Sequence, residues 1–214
     1  MEAQLLQTLK RGIDTLALDL TDTQVTKLAD YIDLLVKWNK AYNLTAIRDP
    51  EEMVVKHLLD SLAIIPHIDQ SPLLDVGTGP GLPGIPLAIT RPELDITLLD
   101  SNGKKTRFLT QAKVSLGLDN VTVIHGRVEQ AVADQKTDKR FQVVTSRAFA
   151  SLSDMVTLAR ETLAEDGRFV AMKGVVPEDE MAELPEWAKV EQIIPLAVPN
   201  LQAERHLIVL SDQK

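Results

Sequence analysis

The sequence predicts an α/β protein, a mostly parallel sheet with helices on both faces and a helical extension at the N-terminus. Three observations carry that prediction. The stretch Leu73 to Leu87, LLDVGTGPGLPGIPL, reads as a short buried strand, a glycine turn and the start of a helix. From there onward, short apolar runs alternate with helical segments, the pattern of crossover-connected parallel strands. Before it, apolar residues recur every three or four positions, the spacing of amphipathic helices.

Taken in order, Leu5, Leu6, Leu9, Ile13 and Leu16 mark a first helix, and Val25, Leu28, Ile32, Leu35 and Val36 a second. Thr21, Asp22 and Thr23 supply an N-cap for the second, which is expected to run to about Trp38 and Asn39. Asn43 and Arg48 to Pro50 mark a loop, and a third helix is expected from Glu51 to Ile64. Within it, His57 to Ser61 reads HLLDS. A nucleophilic serine needs an exposed, strained turn, so these residues are read as packing and hydrogen bonding. Pro66 to Pro72 forms a junction, dividing an N-terminal extension, 1–70, from a ligand-binding domain, 71–214.

Leu73, Leu74 and Val76 make the first strand, after which Gly77, Gly79 and Gly81 let the backbone turn and approach a ligand closely. Pro83 and Pro86 fit a first helical turn, where free N–H groups and a positive dipole end are expected to converge. Ile96 to Leu99, Val121 to Ile124, Val143 to Thr145 and Phe169 to Met172 are the following strands, with a helix from Asn102 to Leu116 after the second. Val190 to Ile194 and Leu207 to Leu210 are expected to close the sheet as an antiparallel hairpin. No motif is assigned to Ala133 to Arg140.

The chain has 214 residues, 44% of them apolar, enough for one good core. It has no cysteine, which excludes disulfides and thiolate metal sites, and no metal site is expected. No run approaches a membrane span and the first residues lack a signal-peptide pattern, so a soluble cytoplasmic protein is expected. A monomer is a separate expectation. A net charge of −8 argues against a general nucleic-acid coat protein but leaves room for a local basic patch.

In such a sheet the ligand lies beyond the carboxyl ends of the strands. Gly79 to Gly84 satisfies the G-x-G-x-x-G pattern of dinucleotide enzymes, a weak signal alone. Asp100, after the second strand, suits ribose hydroxyls in either an NAD or an S-adenosylmethionine site. Asp75, just before the glycines, favours the second, because D-x-G-x-G-x-G resembles the first motif of Rossmann-like methyltransferases, whose ligand has no pyrophosphate to seat. Local capping by both acids, Asp75 on the loop and Asp100 on the next helix, is compatible with this.

Arg127, Arg147 and Lys173 fall after the third, fourth and fifth strands and Arg205 in the expected closing hairpin, and the four are read as a positive rim. Lys104, Lys105 and Arg107 either extend it or form a solvated helix face.

Beyond the glycine stretch, WNKAYNLT at Trp38 to Thr45, HLLDS at His57 to Ser61, SRAF at Ser146 to Phe149 and ERH at Glu204 to His206 give a closer match. The chain resembles the RsmG family of small-subunit ribosomal RNA methyltransferases, also called glucose-inhibited division protein B, over nearly its whole length. The resemblance implies a class I Rossmann-like methyltransferase that moves a methyl group from S-adenosyl-L-methionine to N7 of guanine 527 in 16S rRNA, in the small subunit or its precursor. It places Asp75, Gly77, Gly79, Leu82, Asp100, Val128, Glu129 and Arg147 at the cofactor, with Val128 and Glu129 flanking adenine. Arg127, Lys173 and Arg205 fall to the reaction itself. A small-molecule methyltransferase, or a non-enzymatic NAD-binding sensor, would use the same glycine loop.

Overall fold

The computed structural model describes residues 1–131 and 139–213. In chain order the helices are α1 (Ala3–Thr15), α2 (Asp22–Tyr42), α3 (Pro50–Met53), α4 (Asp60–Leu62), α5 (Gly84–Thr90), α6 (Gly103–Leu116), α7 (Val128–Ala131), α8 (Leu152–Ala159) and α9 (Glu178–Ala182). The strands are β1 (Leu73–Val76), β2 (Ile96–Asp100), β3 (Val121–His125), β4 (Phe141–Arg147), β5 (Leu163–Lys173), β6 (Ala188–Pro195) and β7 (His206–Asp212). They form one sheet in the order β3-β2-β1-β4-β5-β7-β6. The first five are parallel, and β7 runs antiparallel to both β5 and β6. The closing hairpin is therefore present. The strands β4 and β5 are longer than their apolar runs suggested, so Ser146, Arg147 and Lys173 are the last strand residues rather than the first loop residues.

Alternation along the strands splits the core in two. Leu73, Val143, Val170 and Met172 face one cluster, while Leu74, Val76, Val144, Phe169 and Ala171 face the other. The first cluster is covered by α1, α2, α5 and α6: Leu9, Ile13, Leu28, Ile32 and Leu35 share it with Ile85 and Phe108. The second is covered by α7 and α8 through Val128, Ala131, Leu152 and Val156. The N-terminal helices thus close one face of the sheet. They are not tethered beside it.

Two polar contacts lock α2 onto the glycine region. Thr21 and Gln24 form the capping box at its start, and the Gln24 amide also donates to the carbonyls of Ile89 and Thr90 at the end of α5. Tyr31, fully buried, donates its hydroxyl to the Pro80 carbonyl at 2.9 Å. Tyr31→Phe removes the donor and leaves that carbonyl bare. A cost of about 1–2 kcal/mol, or a Tm lower by roughly 3–6 °C, is expected by thermal denaturation.

The third helical segment departs from expectation. Its middle, Val54–Leu59, is π-helical, and the segment ends at Leu62 instead of Ile64. Because the Asp60 N–H reaches back to Val55, it passes over the Lys56 carbonyl, which is then available to a side chain. Periodicity over a dozen residues does not reveal one extra residue in a single turn. The second helix also runs further than expected, to Tyr42, where Asn43 ends it in the left-handed conformation.

Candidate active site

The chain reverses direction across the sheet at β1 and β4, whose carboxyl ends open a crevice at the switch point. On one side lies the glycine loop. Gly77, Gly79 and Gly81 all have positive φ, at 64°, 63° and 97°. A Cβ at Gly79 would meet nothing nearer than Lys105 Nζ at 4.0 Å, so that side of the loop is open to a ligand. One at Gly81 would strike Ile85 at 2.3 Å. Gly79 lines an approach, whereas Gly81 packs inward.

The loop's amides do not point outward. Gly77 and Thr78 donate to the Leu99 carbonyl, Gly79 to Asp100 Oδ2, Gly81 and Leu82 to the Thr78 carbonyl, Gly84 to Asp75 Oδ2 and Ile85 to the Gly81 carbonyl. The remaining positions through residue 86 are prolines. The free N–H groups expected there are all committed.

Both acids brace this loop. Asp75 is fully buried, and its Oδ2 accepts from Thr78 Oγ1 at 2.6 Å and Gly84 N–H at 2.8 Å, while its Oδ1 has no partner. Burial pushes its carboxyl up to about 7, against the hydrogen bonds of Thr78 and Gly84. Asp100 accepts from Gly79 at 2.9 Å and from Asn102 N–H at 2.8 Å, with Lys105 Nζ 3.9 Å away. The cap of α6 is Asn102, which accepts from Lys104 N–H. Asp100 is therefore tied to the glycine loop through Gly79 and to the start of α6 through the Asn102 N–H.

On the other side of the crevice is a cavity of about 400 Å³ lined by Lys56, His57, Asp60, Arg147, Lys173 and Arg205 among others. Three of the four rim cations meet here. Arg147 donates to the Lys56 carbonyl at 2.9 Å and to Asp60 Oδ2 at 3.3 Å, and lies 3.3 Å from His57 Nδ1. Arg205 donates through Nε to Asp60 Oδ1 at 2.9 Å. Lys173 is held by both oxygens of Glu180, at 3.0 and 2.7 Å, and Glu180 also accepts from Leu152 N–H. Burial, reinforced by Arg147, lowers His57 to about 4, so its ring is neutral near pH 7.

This is a cavity rich in cations beside a glycine loop braced by two acids, on a sheet of the strand order above. The family model described as rRNA small subunit methyltransferase G matches residues 24–208. The chain belongs to this family. It is 51% identical over 206 residues to the ribosomal RNA small subunit methyltransferase G of Enterobacter sp. (strain 638), covering 96% of this chain and 98% of that one. Against the protein of the same name from Chromobacterium violaceum it is 54% identical over 201 residues, 94% of each chain. Among solved structures, the glycopeptide N-methyltransferase MtfA complexed with S-adenosyl-L-homocysteine aligns with a TM-score of 0.60 at 12% identity, over 73% of this chain and 87% of that one. TrmN from Thermus thermophilus aligns with a TM-score of 0.57 at 16% identity, over 71% and 48%. These two share the fold, a Rossmann-like sheet with helices on both faces.

Within this small subunit methyltransferase G fold, the other expected site residues are more scattered. Arg127 follows β3, away from the cavity. Its side chain is 69% exposed, with Glu129 at 3.8 Å. Val128 packs into the second core cluster, so only its main chain can face a ligand, and Glu129 stands in the exposed first turn of α7. Leu82 is 2% exposed in the first cluster and its amide is taken by Thr78. It anchors the loop from behind instead of lining it. The part of the segment Ala133 to Arg140 that spans 133–138 lies outside the described residues.

Sequence reading placed His57 and Asp60 in packing and hydrogen bonding, which they do make, but not at the site. Ser61 is fully buried and so is no nucleophile. The available signal was chemical: a His and an Asp three apart in an otherwise apolar turn need buried partners.

Proposed function

We propose that this chain transfers the methyl group of S-adenosyl-L-methionine to N7 of guanine 527 in 16S rRNA, acting as a cytoplasmic monomer on the small subunit or its precursor. The observation that carries this reading is the inward commitment of every amide from Gly77 to Ile85. A pyrophosphate needs free N–H groups at such a loop, so a dinucleotide would find none. What the loop is built on is acceptors: Asp75 Oδ1, unpaired and buried behind the glycines, and the carboxylate of Asp100. Those suit a ligand with a positive charge and hydroxyl donors, and the cofactor fits.

In that reading Asp75, Asp100 and the open face of Gly79 hold the cofactor, with the main chain at Val128 and the side chain of Glu129 beside its base. Arg147 stands between cofactor and substrate. When bound, S-adenosyl-L-methionine supplies an electrophilic methyl group. Guanine N7 has a lone pair and no proton, so no general base is required and positioning dominates. A neutral His57 agrees with this, because it neither takes nor gives a proton near pH 7. Arg and Lys recognise the O6 and N7 edge of guanine, and N7 must stay open to be attacked. The cavity cations therefore serve O6 and phosphates.

The deciding experiment incubates the protein and labelled cofactor with small subunits from cells lacking it, then maps the label. Label at one 7-methylguanosine in 16S rRNA is expected. Label on protein or small molecules only would overturn the reading. Calorimetry should give heat with S-adenosylhomocysteine and none with NADH.

Asp75 adds a pH dependence. Its carboxyl, ordinarily near 3.8, sits at about 7 in the fold, so its stability contribution is full at low pH and is lost as pH rises through 7. A cationic ligand selects the ionised form. Cofactor affinity should therefore rise about tenfold from pH 6 to pH 8 and then level, as follows from a single group at 7. Asp75→Asn should flatten that profile in calorimetric titrations.

A further inference from the structure

We infer that Asp60 is a positioning residue for methyl transfer, a buried carboxylate that fixes Arg147 and Arg205 at the mouth of the cavity. This rests on the function proposed above. The sequence setting of Asp60, mid-helix and flanked by leucine and serine, points only to packing and hydrogen bonding. Its place in the fold supplies a further role.

The two guanidinium groups come from unrelated elements. Arg147 ends β4, and Arg205 precedes β7 in the connection from β6. Each long side chain has several rotamers and would otherwise spread over solvent. Asp60 takes one on each oxygen, Arg205 Nε on Oδ1 at 2.9 Å and Arg147 Nη1 on Oδ2 at 3.3 Å. The carboxylate is 3% exposed, while the arginines are 20% and 24% exposed. A ligand entering the cavity therefore meets cations, with the anion behind them. Arg147 is held from a second direction by the Lys56 carbonyl, which the π-helical turn makes available, and from a third by neutral His57.

The charge balance supports positioning over simple neutralisation. Lys56, Arg147, Lys173 and Arg205 carry four positive charges, and their partners Glu52, Asp60 and Glu180 three negative ones, leaving the cluster at +1. Asp60 also donates nothing and lies nearly buried behind the two arginines, so an incoming RNA meets them first. Its effect must pass through the arginines. The N-terminal segment thereby supplies part of the reaction centre instead of merely flanking it.

The test compares Asp60→Asn, Arg205→Gln and the double variant with the native enzyme on small subunits. Asp60→Asn is expected to lower kcat about a hundredfold, the scale at which a misplaced group costs rate. Its affinity for a 16S rRNA fragment should be unchanged or tighter, since a negative charge is lost. Arg205→Gln should cost far less when added to Asp60→Asn than alone, because the two act through one contact. Additive losses, or native kcat in folded Asp60→Asn, would overturn the inference. Should Asp60→Asn not fold, Asp60→Glu keeps the charge and displaces it by one methylene. A fall in kcat at native Tm then supports the inference, and native kcat overturns it. The Arg205 Nε–H signal in NMR, slow to exchange in the native protein and lost in Asp60→Asn, reads the clamp without turnover. If the native enzyme leaves subunits unmethylated but that signal behaves as expected, the proposed function fails and the clamp stands.

Discussion

Gly79→Ala is expected to keep most of its stability and to lose the cofactor, whereas Gly81→Ala is expected to be markedly destabilised. Both glycines have positive φ, so each substitution carries the left-handed penalty of about 1–2 kcal/mol. Their surroundings then separate them. The new methyl at Gly79 projects into open space, with Lys105 Nζ at 4.0 Å, and occupies the face a ligand must approach. A rise in cofactor Kd of about a hundredfold, roughly 2.8 kcal/mol, is expected in calorimetric titration. At Gly81 the methyl would lie 2.3 Å from Ile85 and 2.9 Å from Leu109, both fully buried in the first core cluster. Overpacking there adds about 1–3 kcal/mol to the backbone penalty. Gly81→Ala should therefore show a Tm lower by roughly 5–15 °C. Equal cofactor loss in both variants at native Tm would contradict the assignment of one glycine to the approach and the other to the core.

Lys173→Ala and Arg127→Ala are expected to part company, although both were read from sequence as one rim. Lys173 lines the cavity, is 14% exposed, and is aligned by both oxygens of Glu180. Its loss should lower kcat by about a hundredfold with cofactor Kd unchanged, as for a group that holds the reacting base in place. Arg127 is exposed and stands on the far side of the glycine loop, so it suits a phosphate of the RNA backbone. Arg127→Ala should raise KM several-fold, leave kcat unaltered, and lessen the slope of log affinity against log salt by about one. Methylation kinetics at several salt concentrations would distinguish the two. A kcat loss for Arg127→Ala as large as that for Lys173→Ala would return Arg127 to the reaction centre.

Much of the architecture was legible because the information is local. Alternation and short apolar runs report a face of a strand, and spacing of three and four reports a face of a helix. Five parallel strands and the closing hairpin followed from these. The lengths of β4 and β5 did not, since Gln142, Glu165 and Asp166 interrupt the apolar signal while the strands continue through a register shift. The loop amides were misjudged for a related reason. A glycine turn at a helix start implies free donors, but Asp75, Asp100 and the carbonyls of Thr78, Gly81 and Leu99 are folded back onto them.

By itself, the sequence determined the order of the elements, the strand that carries Asp75 and its glycine bend, and a cationic residue at or just after the end of each of the last three parallel strands. The tertiary structure alone decided which of those cations work together. Asp60 lies 87 residues from Arg147 and 145 from Arg205, and no pattern of neighbours along the chain encodes a contact across such distances. The burial of Asp60 and the opening of the Lys56 carbonyl arise where the N-terminal segment packs onto the face shared by α1, α2, α5 and α6, while Arg127 stays at the opposite edge of the sheet with β3. Close packing of that face, and not any local propensity, chooses the side chains that meet in the cavity.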